Sequence, residues 1–247
     1  MAVAKEDEAY RVSIADLVLT GGPQTRIRID EVNYLYQRID EQLERYGDIR
    51  TVGPLVVENA ERERLATIHV ENERANGTWS QPLEAFVTFD GAIPVMRIEG
   101  TEGDPPVEIR DFVFQTETVD PAAARTSQAG SATIGSVSGT DEEGTAILLE
   151  GLTIASAFEN VDLAAFKSAS ESFELASTTG ENLAPAIVAL LNSFSQLDAS
   201  VTVDRISGEH PERGRFVLAG LGLGFGLADA DQQLGRLGFD IEFDALE

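Results

Sequence analysis

Two histidines, 43 acidic side chains and a single tryptophan are the residues from which any chemistry would have to be built. His69 sits in an alternating stretch beside Ile68 and Val70, and His210 in the turn-like GEHPERGR segment. Neither has a second ligand at a useful spacing, and a histidine metal site needs companions. Both read as surface or hydrogen-bonded side chains. There is no cysteine, which excludes disulfide scaffolds, thiolate metal sites and thiol nucleophiles. The segment Asp229–Gly235 (DADQQLG) approaches a calcium-binding loop, but Leu234 stands where the turn glycine is required and Asp240 where the bidentate Glu belongs. Asp141, Glu142 and Glu143 form a second acidic cluster before Gly144. Both clusters read as solvated turns, with weak divalent binding as the sharper alternative. No metal and no cofactor is expected.

Catalytic motifs fail in the same way. G-x-S-x-G and S-x-x-K are absent, and neither Lys5 nor Lys167 follows a phosphate-binding glycine loop. The glycines around Gly222 and Gly224 do not make a dinucleotide loop, because Phe225 and Leu227 occupy the places of the third glycine. Paired carboxylates remain. A glycosidase needs two acids about 5 to 10 Å apart, and among so many acids some pair meets that distance by accident. Trp79 offers a sugar platform, although an aromatic beside a turn more often plugs a core edge. Asn76-Gly77-Thr78 fits a glycosylation sequon and reads better as an Asn-Gly hairpin turn.

The chain has 247 residues and a formal net charge of −25, with 16 Arg and two Lys among its 18 basic residues. Such a surface repels phosphate backbones, so no nucleic-acid partner is expected. It keeps the protein dispersed, and salt adaptation or weak binding of cations or basic partners would account for it equally well. The longest uncharged apolar run, Phe216 to Ala228, has 13 residues, too few for a membrane-spanning helix. No leader is visible, since Lys5, Glu6, Asp7 and Glu8 interrupt the N-terminus. Removal of a leader before Met1 is one reading of that start.

The elements that would position any site are mostly short strands between Gly, Pro, Asp and Asn. Tyr10, Val12 and Ile14 alternate, then Leu17 and Leu19 alternate on the opposite parity, which predicts a bulge near Ala15 and Asp16. Gly21, Gly22 and Pro23 turn the chain. Further strands are expected at Leu55–Val57, Leu65–Val70, Phe86–Phe89, Val95–Ile98 and Ile109–Thr118 in the first half. In the second half they are expected at Ala132–Ser138, Ala146–Ala155, Ser172–Ala176, Val201–Ile206, Arg215–Leu227 and Leu237–Phe243. Val32, Leu35, Tyr36, Ile39, Leu43 and Tyr46 recur at helical spacing and predict a helix from Glu31 to Tyr46, between Asp30 as cap and Gly47. Leu183, Ile187, Leu190, Leu191, Phe194 and Leu197 predict a second from Leu183 to Leu197, and a shorter helix is expected over Asp162–Ala169. Residues 121–131 are small, polar and aperiodic. They divide the chain into residues 1–120 and 132–247, each β-rich with one helix, unless the whole is one continuous domain.

The fold expected is therefore α+β and β-rich: an extended, curved antiparallel sheet or sheets, with two long amphipathic helices covering a face. The strand from Phe216 to Leu227 is its most telling part. Leu221, Leu223, Phe225 and Leu227 hold one parity, and Gly220, Gly222, Gly224 and Gly226 the other. Bare backbone on one face invites close approach. The Leu183 helix is the first candidate for it; a flat apolar ligand, or strong coiling of the sheet, is the alternative.

The phrases Val12–Gly22 (VSIADLVLTGG), Ile147–Phe166 (ILLEGLTIASAFENVDLAAF) and Ser200–Leu223 (SVTVDRISGEHPERGRFVLAGLGL) resemble strand pairs of the AsmA-like and YdgA-like bacterial envelope proteins. The resemblance covers the first 30 residues and roughly the second half, without the family's N-terminal membrane anchor. It implies a periplasmic or envelope protein with an apolar groove for lipids or other amphiphiles; the cytoplasm is the alternative location. The groove residues expected are Ile147, Leu149, Leu190, Phe194, Leu221, Leu223, Phe225 and Leu227. On this reading the protein is non-catalytic and shields an amphiphilic ligand. A module that pairs with a partner protein, or self-assembles through its sheet edges, and an acid/base hydrolase of saccharides are the alternatives.

Overall fold

The computed structural model describes residues 1–247 except 7, 21–24, 102–103, 121–122, 124, 142, 181, 231, 233–234 and 247. The expected glycine turn at 21–23 lies outside the described residues, as do parts of both acidic clusters and of the 121–131 segment. The first strands are β1 (Ala2–Glu6), β2 (Ala9–Thr20), β3 (Thr25–Arg38), β4 (Leu43–Asn59), β5 (Arg64–Glu71), β6 (Arg74–Ser80) and β7 (Ala85–Glu99). They continue with β8 (Val107–Val119), β9 (Thr126–Thr140) and β10 (Ala146–Val161). Two helices follow, α1 (Leu163–Thr179) and α2 (Ala184–Leu191), and then β11 (Gln196–His210), β12 (Gly214–Ala228), β13 (Arg236–Glu242) and β14 (Ala245–Leu246). All strands belong to one antiparallel sheet in which chain neighbours pair, from β1 at one edge to β13 at the other. The ladder crosses the 121–131 segment directly, with β8 paired to β9 from Glu108↔Ser138 to Val119↔Ser127.

Two apparent irregularities resolve into long strands. β5 and β6 pair with successive parts of β4 and of β7, so together they form one broken strand between them. β13 and β14 do the same along β12.

The breaks lie on a single line. Pro94, Asp111, Gly135, Gly151, Asp204, Gly220 and Asp244 stand opposite one another on consecutive strands, each flanked by matched pairs. Asn72 faces Pro94 on one side of this row. Asp16 faces Asp30 near the first edge, and a register shift beside Gly53 connects them to β4. Asp16, Gly53, Asn72, Asp111, Gly151 and Gly220 have positive φ, between 54° and 82°. Only Gly adopts that region freely, with Asn and Asp next.

Each such residue displaces the side-chain alternation by one place. Leu149 is followed by Leu152 on the apolar parity, Ile109 by Phe112, Leu218 by Leu221 and Ile29 by Val32. Asp16, near which a bulge is expected, stands opposite Asp30 with Ala15↔Glu31 and Leu17↔Ile29 in unchanged register, so it is one member of this line across the sheet and not a bulge of one strand alone. The insertion brings both apolar stretches of each strand to the same side.

The helices differ from expectation. Glu31–Tyr46 is not helical: it spans the end of β3, a turn and the start of β4. Asp40 makes the turn, its Oδ1 accepting from the amides of Gln42 at 2.7 Å and Leu43 at 2.8 Å. Val32, Tyr34 and Tyr36 also fit a two-residue period, and pairing on both flanks selects it. Ser172–Ala176 is not a strand. It belongs to α1, which Asp162 caps by accepting from Ala165 N at 2.9 Å, and which ends at Gly180 with φ 73°. The Leu183–Leu197 helix is shorter than expected: α2 stops at Leu191, and Leu197 lies in β11. Asn76-Gly77 lies inside β6 rather than at a hairpin turn.

The glycines of the row are held by neighbouring carboxylates. A Cβ on Gly53 would lie 2.9 Å from Asp30 Oδ2, and one on Gly151 or Gly220 would collide with Asp204 or Asp244. Gly151→Ala therefore meets both an unfavourable φ and an occupied space. The φ alone costs about 1–2 kcal/mol. Gly144→Ala, at φ 82° but with nothing within 4 Å, should lose only that. Urea unfolding should show the larger loss for Gly151→Ala; equal losses would remove the Asp204 contact from the account.

Candidate functional site

The register places the apolar side chains on one face. On one side of the row the face carries two ranks across paired strands: Leu17, Ile29, Leu55, Ile68 and Ile98 in one, and Val70, Met96, Ile109, Val137, Leu149, Ile206 and Leu218 in the other. On the other side it carries Ile154, Val201, Leu223 and Ile241 in one rank, with Phe225 and Phe239 in the next. Six of the eight expected groove residues share this face: Ile147, Leu149, Leu221, Leu223, Phe225 and Leu227. Leu190 and Phe194 lie at its end. Phe194 is buried with Val161 and Ala230, and Phe158, Leu163, Phe166, Leu190, Leu191, Leu197 and Leu227 pack around them. Side chains of both helices thus join the buried cluster at the ends of β10, β11 and β12. A Lys167–Glu84 ion pair ties α1 to the turn before β7.

Expectation missed an aromatic ladder on the same face. Tyr34 and Tyr36 of β3 approach Tyr46 of β4 at centroid distances of 5.5 and 5.7 Å. Tyr46 meets Phe86 at 5.8 Å, Trp79 meets Phe86 at 5.1 Å, and Phe86 meets Phe89 at 4.9 Å. Phe89 and Phe114 stack at 5.3 Å, and Phe112 follows at 5.5 Å. These spacings are those at which aromatic pairs attract. The rings also fill the space above glycines: a Cβ on Gly77 would lie 2.7 Å from Phe86 and 2.8 Å from Phe89. The alternations Tyr34/Tyr36 and Phe112/Phe114 were the available sequence signal.

No second layer covers this face among the described residues. Ile154 is 46% exposed, Leu223 44%, Phe239 68% and Ile241 72%. The total accessible surface is 15390 Å², against about 10,700 Å² for a compact monomer of this mass.

The opposite face is polar and small. A depression of about 1010 Å³ lies there, bordered by Asp90, Gln115, Ser131, Ser200, Gly224 and Asp240 among others. A second, of about 700 Å³, is bordered by Arg97, Glu108, Ser138, Ser207 and Arg215. Of the expected groove residues, Phe225 borders the first and Ile147 the second. An added Cβ would meet only the Glu242 Cβ at 3.6 Å on Gly222, and only Asp240, its Cβ at 3.4 Å and Oδ2 at 3.6 Å, on Gly224. The expected packing of α2 against these glycines is absent, because α2 packs at the end of the apolar face.

Both histidines lie at the surface, and His210 is hydrogen-bonded. His69 Nε2 lies 3.8 Å from Glu99, and His210 Nδ1 accepts from the amides of Glu212 and Arg213, both at 3.0 Å. Among the described residues no group of three or more His, Asp and Glu is placed to hold a metal, and no helix is long and apolar enough to cross a membrane. No protein-family model, curated protein or solved structure matches the chain.

One polar group is set into the ladder. The phenols of Tyr36 and Tyr46 donate to the two oxygens of Glu44, at 2.9 and 3.0 Å. Burial, then the bond to Glu44, pushes the Tyr46 phenol up to about 12. Burial opposes ionisation of Glu44, but hydrogen bonds from Tyr36, Tyr46 and Gln81 hold its pKa below the ordinary value. A raised phenol pKa means that the unfolded chain loses its proton first. Its contribution to stability is complete below pH 10 and lost as pH rises towards about 12. Alkaline unfolding should therefore show a loss over this window that Tyr46→Phe reduces, with the phenolate absorbance band reporting the late titration.

Proposed function

We propose that this chain is a non-catalytic envelope protein that holds an amphiphile with its acyl chains against the apolar face of the sheet. The observation that carries the reading is the uncovered face. About 4,700 Å² more surface is exposed than a compact monomer of this mass would leave, and half-exposed Ile, Leu and Phe side chains stand in ranks across it. Exposed apolar side chains ranked together on one face mark a binding face. Each methylene covered contributes about 0.8 kcal/mol, so one acyl chain lying across several ranks suffices for firm binding. The head group would remain in water, and the helices would close one end.

The line of Asp, Gly and Pro favours the same reading. Bulged residues bend strands and increase their twist, and a bend repeated at the same position in every long strand would fold the sheet towards a trough. The resemblance to AsmA-like and YdgA-like proteins points to the periplasmic side of an envelope and to lipid-like cargo.

Trp79, the only tryptophan of the chain, sits in the ladder and serves as a probe. A brominated fatty acid below its micelle concentration should quench Trp79 emission saturably, and native mass spectrometry should show the adduct. Ile154→Lys, on the exposed part of the face, should weaken binding several-fold. An emission that bromine leaves untouched, together with an unliganded mass, would end the proposal.

A further inference from the structure

The second edge of the sheet has a sequence that complements itself. β13 reads Arg236-Leu-Gly-Phe239-Asp-Ile-Glu242, and all seven residues are exposed. One side of it pairs with β12, from Gly222↔Glu242 to Ala228↔Arg236. The other side is the end of the strand order, so its backbone donors and acceptors face outwards. Such an edge is a template for another strand.

We propose that β13 pairs antiparallel with β13 of a second copy of this chain, in the register centred on Phe239. A two-fold axis perpendicular to the sheet relates the copies, as an isologous interface requires. In this register Arg236 faces Glu242 of the other copy, twice by symmetry. Leu237 faces Ile241, Gly238 faces Asp240, and Phe239 faces itself. No like charges oppose each other. Shifting the centre to Asp240 would set two aspartates face to face, and shifting it to Gly238 would leave Glu242 without its arginine.

Cross-strand pairs of opposite charge and of aromatic or branched residues stabilise a ladder, and this register uses all seven residues. Side-chain parity is preserved, so Leu237, Phe239 and Ile241 of both copies stay on the apolar face. Phe239 already meets Phe225 at 5.3 Å within its own copy; the pairing extends that contact across the axis and joins the two apolar faces into one. The occupant fits on charge, since the edge of each copy supplies both signs; Arg236, 3.2 Å from Asp229 in its own copy and highly exposed, would turn to Glu242 of the second copy.

The test needs no ligand and so stands apart from the amphiphile reading. Light scattering on the full chain should give twice 26.6 kDa. The chain has no cysteine, so Phe239→Cys introduces one thiol beside its own symmetry mate. Directly opposed residues have Cα atoms about 4.5–5.5 Å apart, within disulfide reach, and mild oxidation should link the copies. Leu237→Cys should link poorly, its mate lying about 13 Å along the strand. Glu242→Arg should dissociate the dimer, and adding Arg236→Glu should restore it, with circular dichroism confirming an unchanged sheet in each variant. A monomeric wild-type chain overturns the proposal, as does a dimer that Glu242→Arg leaves intact. Cross-linking that is no better from position 239 than from 237 overturns it too.

Discussion

A single-layer sheet satisfies its backbone without satisfying its side chains. The interior strands here have partners on both sides, so outside the row of breaks their amide and carbonyl groups are paired within the ladder. Apolar side chains on one face have no such internal solution. They require a second layer, and among the described residues one is supplied only at the end where side chains of α1 and α2 pack around Val161, Phe194 and Ala230. Elsewhere the face relies on lateral contacts: branched side chains ranked across strands, and the ring-to-ring ladder from Tyr34 to Phe112. Cross-strand pairs of this kind contribute about 0.2–1 kcal/mol each, so stability is spread along the sheet rather than concentrated in a core. The same deficit leaves the face available to something else.

The row of Asp, Asn, Gly and Pro follows from this constraint. One inserted residue reverses inside and outside for the remainder of a strand. If β10 had an insertion at Gly151 and β11 none at Asp204, the apolar residues of one would oppose the polar residues of the other beyond that point. The insertion therefore has to recur on each long strand at the same height. The residue types fit the geometry: positive φ on some strands, and on their neighbours carboxylates standing over the glycines, as Asp204 does over Gly151 and Asp244 over Gly220. Exposed ion pairs between near neighbours, such as Arg50–Asp48 and Arg110–Glu108, contribute little by comparison.

Much of this was legible in the sequence where the signal was local. The parity change between Ile14 and Leu17 announced the break at Asp16, though not its unshifted register, and the glycine-and-leucine alternation of β12 announced its two unlike faces. The failures have a common physical origin. Tyr36, Ile39, Leu43 and Tyr46 fit a helical stripe as well as they fit two strands and a turn, and pairing with β2 and β6 decides between them. Ser172–Ala176 looked like a strand because its helix is bounded by features several residues away, Asp162 and Gly180. The row across the sheet was invisible for a different reason. Its members are separated by unequal stretches of chain and meet only once the register is set, so no window of sequence contains the pattern. The aromatic ladder, assembled from five strands, was hidden in the same way.

Charge governs how two such faces can meet. The net charge of −25 opposes indiscriminate stacking of one sheet on another, because two copies brought face to face must bring their like charges within screening distance. The edges are treated differently from each other. β1 is wholly exposed, but it carries Lys5 and Glu6, and Glu6 is bonded to Arg11 at 2.7 Å; a charged edge of this kind resists further pairing. β13 presents Leu237, Phe239 and Ile241 between two charges of opposite sign, Arg236 and Glu242. One edge is thus guarded and the other selective. Repulsion over the whole molecule and attraction at one short strand together would favour a finite association over an endless one, and on the proposed reading the apolar face is covered by a small partner that carries no comparable charge.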